Sequence, residues 1–222
     1  MIKRLKHINK KLERQITSKN KMCTGLKSVY ISNKKCDSIY YIMDQKKIGH
    51  QGLSGSEIFR TCCKNNCDLV AKFLPLPWVI LPDESNIPPI NEAKIQSIVG
   101  ELGLAPKVHE VWKCEKGVII IMDAMYITAY DDLTTVIKGE STPNRKKRKT
   151  KIFETLLKLI DKLHSHGIAH GDSHLKNFMR TEKDPERYYF IDFGLSTTTP
   201  NEYRLCRDFK DIFNDIKKLS MI

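Results

Sequence analysis

The chain has 222 residues, of which 41% are hydrophobic and 29% charged, so it can form one domain or two small lobes around a buried core. Its longest apolar run, Gly117 to Met122, is far shorter than the roughly 20 residues of a membrane span, and the basic N-terminus has no apolar stretch behind it. Seven cysteines, an odd number at scattered positions, are typical of reduced thiols. These features predict an intracellular protein, in the cytoplasm or the nucleus, that does not bind membranes.

The net charge of +12 is concentrated at the N-terminus. Residues 1–35 hold eleven Lys or Arg against one Glu, whereas the remaining 187 residues hold 27 basic and 25 acidic groups. Four apolar residues of this stretch fall at helical spacing: Ile2, Leu5, Leu12 and Ile16. The pattern predicts a basic amphipathic helix in an extension of residues 1–37. Such a helix is suited to an acidic partner or to RNA, although most charge runs are solvated faces.

From residue 38 onward the sequence predicts a strand-rich lobe that ends at residue 124. A turn with three glycines, Gly49, Gly52 and Gly55, comes before two strands of a hairpin. The predicted strands of this lobe are 39–42, 57–60, 68–73, 108–112 and 118–122. A helix is predicted over 90–102, because Gly103 and Pro106 then end it.

Residues 125–222 are predicted to form a mainly helical lobe. A long helix begins near Arg145, in the basic run 145–149, and ends at His166-Gly167. That basic run is also compatible with a nuclear-import signal or a nucleic-acid contact. Short strands at 178–179 and 188–191 and a helix at 208–219 follow. The fold class is therefore α+β in two lobes.

Polar motifs in the second lobe suggest phosphate chemistry. Residues 170–177 read His-Gly-Asp-Ser-His-Leu-Lys-Asn, and residues 191–194 read Ile-Asp-Phe-Gly. Asp172, Asn177 and Asp192 supply two carboxylates and an amide, which a divalent metal and a nucleophilic hydroxyl need around a phosphate. The same residue types also favour turns for local reasons, so the motif needs support from the rest of the chain.

Lys72 supplies that support, because it lies inside the apolar strand predicted at 68–73. A lysine that points inward needs an anionic partner to offset its desolvation. Glu92, at the start of the following helix, is the first candidate, and Glu101 is the fallback. The alternative is an edge-strand lysine that faces water.

The order of these features resembles the signature set of the protein-kinase superfamily. The resemblance covers about residues 48–208 and implies a two-lobed protein-kinase-like fold that uses ATP and Mg²⁺. It implies Asp172 as the base that orients the attacking hydroxyl, with Asn177 and Asp192 as metal ligands. It also implies Lys72 as the clamp on the phosphates.

The resemblance further implies a set of nucleotide-binding residues. The backbone groups of Asp123 and Met125 would read the adenine, and Ile48 and Ala71 would lie against its ring. The complete set is Ile48, Gly49, Gly52, Gly55, Ala71, Lys72, Glu92, Asp123 and Met125. Asp208 resembles the helix-borne aspartate that braces the catalytic loop.

Departures from the common kinase pattern narrow the resemblance. Gly171 replaces the usual arginine, His174 stands where a lysine is usual, and only 28 residues follow Gly194. A truncated helical C-lobe with a His-Gly-Asp triplet is similar to the kinase subunit of the KEOPS complex and to its RIO-like relatives. This resemblance implies transfer of the ATP γ-phosphate to Ser or Thr of an unidentified protein substrate, accompanied by ATPase activity.

Two other functions stay open at this level. The His-Gly-Asp-x-His-x2-Asn form also occurs in aminoglycoside and choline phosphotransferases, which favours a small-molecule acceptor. A nucleotide-binding scaffold or pseudokinase is the other alternative, although such a protein has no chemical need for Lys72, Asp172, Asn177 and Asp192 together.

Overall fold

A computed structural model describes residues 17–18, 31–33, 38–42, 56–63, 66–75, 89–114, 117–139 and 142–219. The chain divides into two compact units. The first contains Met1–Ile98 and Lys107–Ala124, and the second contains Val99–Pro106 and Met125–Ile222. The predicted N-terminal helix positions, Ile48 and the glycine turn at 49–55 lie outside the described residues.

The described part of the first unit is a seven-stranded sheet with one helix. In chain order its elements are β1 (Thr17–Ser18), β2 (Ile31–Asn33), β3 (Ser38–Ile42), β4 (Glu57–Cys63), β5 (Asn66–Pro75), α1 (Pro89–Glu101), β6 (Val108–Cys114) and β7 (Gly117–Asp123). The spatial order is β1-β6-β7-β5-β4-β3-β2, and among these described strands only the β1–β6 pair is parallel. All five predicted strands are present. β1 and β2 are additional, and they lie in the extension that the sequence predicts to be helical.

β7 is a buried interior strand of this sheet. It pairs with β6 on one side and β5 on the other, and the residues from Gly117 to Met122 are all buried. A strand covered on both faces needs a continuous apolar run rather than an alternating one, and the sequence Gly-Val-Ile-Ile-Ile-Met provides it.

The second unit combines a small sheet with helices. Its further elements are β8 (Ile127–Thr128), α2 (Ala129–Gly139), α3 (Thr142–Ser165), a 3-10 turn (Leu175–Asn177), β9 (Phe178–Arg180), β10 (Tyr188–Phe190) and α4 (Glu202–Leu219). The strand order is β10-β9-β8. The long predicted helix, both short strands and the final helix are present.

The sequence analysis does not anticipate α2. Thr128 caps this helix, because its hydroxyl oxygen accepts the backbone N–H of Asp131 at 3.0 Å and its hydroxyl donates to the Asp131 carboxylate at 2.7 Å. Ala129, Leu133 and Val136 are buried on one side of the helix. The β-branched run of residues 134–137 disfavours a helix locally, so tertiary packing decides this segment.

α3 buries an apolar stripe of Ile152, Leu156, Ile160 and Leu163, as its spacing predicts. The helix ends at Ser165, and Gly167 then adopts a left-handed conformation with φ of 72°. Neither α3 nor any other helix in the described ranges combines the length and apolarity that a membrane span requires.

Asp132 is the centre of a buried polar network in the second unit. Its side chain is 3% exposed and accepts hydrogen bonds from Arg180 Nε at 2.7 Å and from the hydroxyl of Tyr188. Arg148 of α3 lies 3.4 Å away. Burial by itself would raise the pKa of Asp132, but the bonds from Arg180 and Tyr188, with the charges of Arg180 and Arg148, hold it below its ordinary value. The carboxylate therefore joins α2 to α3, β9 and β10.

Replacing Asp132 by Asn should destabilise the protein by about 3 kcal/mol, because it leaves the buried Arg180 guanidinium without its counter-charge. Urea unfolding of both proteins measures this difference. Asp161→Asn, at an exposed position of α3, is the matched control and should change stability by less than about 0.5 kcal/mol. Equal midpoints for the two variants would contradict the assigned role.

Candidate active site

In the first unit, Lys72 and Glu92 form a buried ion pair. Lys72 Nζ donates to Glu92 Oε1 at 2.7 Å, and the two side chains are 6% and 2% exposed. Lys72 lies on β5, and Glu92 lies in the first turn of α1. The structure therefore places Lys72 opposite Glu92 rather than Glu101, and it excludes the interpretation of Lys72 as an edge lysine facing water.

Ala71 does not lie on the same face of β5 as Lys72. Ala71 packs in a cluster with Phe59 and Trp112, whereas Val70 packs with Ala93 of α1 on the opposite face. Successive side chains of a strand point to opposite faces, so Lys72 shares its face with Val70. The adenine contact of Ala71 stays a prediction, and it would require the face of β5 opposite to Lys72. The period of two along the strand indicates Val70 as a second candidate on the Lys72 face.

Asp123 and Met125 lie at the end of β7 and just beyond it. The backbone N–H of Asp123 donates to Lys107 O at 3.0 Å, and its carboxylate lies 2.7 Å from His109 Nε2. Because that N–H is already engaged, it is not available to a ligand. Met125 belongs to the second unit, and the adenine contacts of Asp123 and Met125 stay predictions.

In the second unit, Asp208 of α4 holds the loop that carries the His-Gly-Asp triplet. Its buried carboxylate accepts the backbone N–H groups of His170 and Gly171, both at 2.8 Å, and lies 2.8 Å from His164 Nε2. Burial alone would raise the pKa of Asp208, but the bond from His164, the charge of His170 and the two backbone N–H groups keep it below its ordinary value. The expected bracing role of Asp208 matches this geometry.

His170 packs this loop against the Asp-Phe-Gly segment. Its ring is stacked on Phe190 at 5.1 Å and contacts Phe193 at 5.0 Å. Nε2 lies 2.9 Å from the carbonyl oxygen of Ile191, so this nitrogen carries the proton. The hydroxyl of Ser196 donates to His170 O at 2.8 Å. The His-Gly-Asp loop and the Asp-Phe-Gly segment therefore pack against each other.

Gly171 occupies a position that no side chain can share. Its φ is 81°, and a Cβ atom built on it would lie 2.3 Å from the carbonyl oxygen of Leu195. This explains why the triplet has glycine where common kinases have arginine.

The carboxylate of Asp172 is held between Asn177 and His174. Asn177 Nδ2 donates to Asp172 Oδ2 at 2.7 Å and to Asp172 O at 2.8 Å. His174 Nε2 lies 3.5 Å from Asp172 Oδ1. The side chain of Asp172 is 34% exposed, so an acceptor hydroxyl can reach it. This combination of a fixed orientation and solvent access is what a base-like carboxylate requires.

Asn177 and Asp192 lie at the same end of the β9–β10 hairpin. Phe178 pairs with Phe190, and the N–H of Ile191 donates to Asn177 O at 2.9 Å. Because Nδ2 of Asn177 is directed to Asp172, its amide oxygen is the atom left for a cation. An amide oxygen and a carboxylate are hard donors that suit Mg²⁺, so the residues present fit the implied metal.

Asp211 and Asp215 are site residues that the sequence analysis missed. Asp211 offers a carboxylate oxygen within 4.8 Å of ligand atoms of Asp172 and His174, a set that acidic groups commonly form without a metal. Burial raises the pKa of Asp211, and the charges of Asp172 and Asp208 add to this against those of His174 and Arg207. The spacing of residues 208, 211 and 215 on a predicted helix is the signal that would have found them.

Two comparisons find known proteins that are similar to this chain. The model of the lipopolysaccharide kinase (Kdo/WaaP) family matches residues 109–214, just under half of the chain. Solved structures also match, 1733 chains in all. One is a crystal structure of the BubR1 kinase domain, with 13% identity and a TM-score of 0.60 over 90% of this chain. The chain spans 63% of the length of that protein.

The chain has the protein-kinase-like fold. At 13% identity the structural likeness shows the fold alone, and the family match covers less than half of the chain. The KEOPS- and RIO-like subtype stays a prediction.

The close packing around Gly171 leads to a testable prediction. Gly171→Ala should destabilise the protein by more than the roughly 1–2 kcal/mol of a left-handed alanine, because the new Cβ also meets Leu195 O. Gly167→Ala is the matched control, since its φ is 72° but the space around it is open. Thermal or urea unfolding measures both variants. A Gly171→Ala cost no greater than that of Gly167→Ala would show that the loop can move away from the clash.

Proposed function

We propose that the protein transfers the γ-phosphate of ATP to a hydroxyl group in a Mg²⁺-dependent reaction. The observation that carries the proposal is the Asp172 carboxylate, fixed by Asn177 and still open to solvent. The fit of Asn177 and Asp192 to a hard cation and the buried Lys72–Glu92 pair support it. Bound Mg²⁺ would neutralise charge that develops on the phosphates.

In this proposal the residues of the candidate site have different roles. Asp172 accepts a hydrogen bond from the acceptor hydroxyl and orients its oxygen for attack. Lys72, which Glu92 holds through the 2.7 Å contact, would bind phosphate oxygens. Asp123 and Met125, with Ala71 or Val70 of β5, would bind the adenine. Ile48, Gly49, Gly52 and Gly55 are the further nucleotide contacts that the kinase resemblance implies.

We propose Ser or Thr of a protein as the acceptor, with ATP hydrolysis as a side reaction, in keeping with the resemblance to the KEOPS-type kinase subunit. The location that fits the odd cysteine count is intracellular. The match to the lipopolysaccharide kinase family favours a second candidate, a sugar hydroxyl of a small molecule or glycolipid. A scaffold without turnover is the third, and it is the least supported because Asp172 retains a fixed orientation.

Asp172→Asn should lower phosphoryl transfer by at least about 100-fold, because the variant lacks the base-like carboxylate. Mg²⁺-ATP should still stabilise the variant, since Asp172 faces the acceptor, and a ligand at 100 times its Kd adds about 2.7 kcal/mol. Labelled ATP shows whether phosphate moves to protein, to a sugar or to water. Melting curves with and without Mg²⁺-ATP report binding.

Asp161→Asn is the matched control and should transfer phosphate at the wild-type rate. Undiminished transfer by Asp172→Asn would exclude the base-like role. Label found only in free phosphate would favour an ATPase, and no melting shift with Mg²⁺-ATP would exclude an intact nucleotide site.

We further propose that the basic residues of the N-terminal extension bind RNA or an acidic partner, and RNA gives the sharper test. Deletion of 1–35 would also remove β1 and β2, which pair with β6 and β3, so charge substitution is the better design. Changing Lys3, Arg4, Lys6 and Lys10 to Gln should weaken tRNA binding and reduce the salt slope by about 0.7–0.9 for each phosphate that the protein then leaves unneutralised.

The control replaces four exposed lysines of the second unit, Lys158, Lys162, Lys210 and Lys217, by Gln, which changes the net charge equally. Binding is measured by salt titration of both variants and the wild type. Equal slopes for the two variants would show that the extension makes no specific contribution.

A further inference from the structure

One face of α4 carries three aspartates next to the loop of residues 170–177. Asp208, Asp211 and Asp215 are three and four residues apart, so they lie one above another on the helix. Asp208 holds the loop at His170 and Gly171, as described above. Asp215, nearly two turns further on, holds the same loop at its other end.

Asp215 binds the loop through one oxygen. The backbone N–H of Leu175 donates to Asp215 Oδ2 at 3.0 Å, and Nδ1 of His174 lies 3.3 Å from the same oxygen. A carboxylate can only accept, so the proton on this edge of the ring belongs to Nδ1. The other oxygen, Oδ1, lies 3.5 Å from Lys218 Nζ. The side chain of Asp215 is 14% exposed.

The ring of His174 thereby connects Asp215 to Asp172. Nδ1 faces Asp215, and Nε2 of the same ring lies 3.5 Å from Asp172 Oδ1. Asn177 holds the other carboxylate oxygen of Asp172. An imidazole ring is rigid, so the position of one nitrogen fixes the position of the other.

We propose that Asp215 is a positioning residue for catalysis, acting through His174 and the backbone of Leu175 to fix the carboxylate of Asp172. This inference rests on the phosphotransferase function proposed above and adds a component that the protein-kinase signature does not contain. Asp208 fixes where the loop begins, and Asp215 fixes the orientation of its reactive group.

The physical argument concerns the freedom of the Asp172 side chain. Asp172 and His174 are 34% and 42% exposed, so neighbouring apolar side chains do not fix them. Their orientation depends on directed polar interactions: Asn177 on one side, and on the other the His174 ring held by Asp215, whose Nε2 attracts the Asp172 carboxylate when both ring nitrogens carry a proton. A displacement of about 1 Å in a reacting group can reduce a rate by about 100-fold, so removal of the Asp215 carboxylate should affect turnover more than binding.

The test compares kcat and KM for ATP in full-length variants. Asp215→Ala should lower kcat by about 10- to 100-fold and change KM for ATP by less than about twofold. Asp215→Asn should recover most of kcat, because its amide oxygen can accept from both Leu175 and His174 while its NH₂ group replaces Oδ1 near Lys218. Asp161→Ala, at an exposed aspartate of α3, is the control and should match the wild type.

A double variant separates the connected arrangement from two independent effects. If Asp215 acts through His174, then His174→Ala combined with Asp215→Ala should lose no more activity than Asp215→Ala alone. Multiplied losses in the double variant, an Asp215→Asn variant as slow as Asp215→Ala, or a fully active Asp215→Ala variant would each overturn the proposal.

Amide hydrogen exchange keeps this test independent of the proposed function. The Leu175 amide should exchange at least tenfold faster in Asp215→Ala than in Asp161→Ala, because it loses its acceptor. A wild-type protein without turnover would overturn the phosphotransferase function, and unchanged exchange at Leu175 would overturn the positioning role whether or not the protein turns over ATP.

Discussion

The carboxylate of Asp208 is the group on which the geometry of the second unit depends. It accepts hydrogen bonds from two backbone N–H groups of the loop of residues 170–177, and it joins this loop to His164 at the end of α3. A buried carboxylate is costly unless its lone pairs are used, and here three donors use them. The low pKa of Asp208 is the electrostatic expression of this arrangement. Without it, the loop would lose its anchor at His170 and Gly171 and its link to His164 of α3.

The anchored backbone also constrains which residues the loop can contain. Gly171 donates its N–H to Asp208, and in that conformation a Cβ atom would meet the carbonyl oxygen of Leu195. An arginine at this position would require the segment after Asp192 to move. An arginine side chain at position 171 therefore does not fit this loop conformation, and the departure from the common kinase triplet follows from packing.

The sequence is sufficient for features that depend on local pattern, and insufficient where tertiary contacts decide. β7 follows from its apolar run, α3 from its helical spacing, and the Lys72–Glu92 pair from the cost of an unpaired buried lysine. The order of the kinase motifs indicates Ala71 as the residue against the adenine ring. The alternation of side chains along β5 indicates Val70. The β-branched residues of α2 disfavour a helix locally, so the sequence pattern does not predict one there. The interactions of Asp215 require the fold, because residue 215 lies 40 positions from Leu175.

His174 shows how one substitution changes the distribution of charge around the reaction. A lysine in its place would offer a mobile ammonium group that can reach a phosphate, whereas the imidazole has only two nitrogens at fixed positions. Both nitrogens face carboxylates, those of Asp172 and Asp215. His174 is thus directed to Asp172, the aspartate that would orient the acceptor in the proposed reaction. In the proposed reaction, neutralising the phosphates then depends on Lys72 and on the cation that Asn177 and Asp192 would hold.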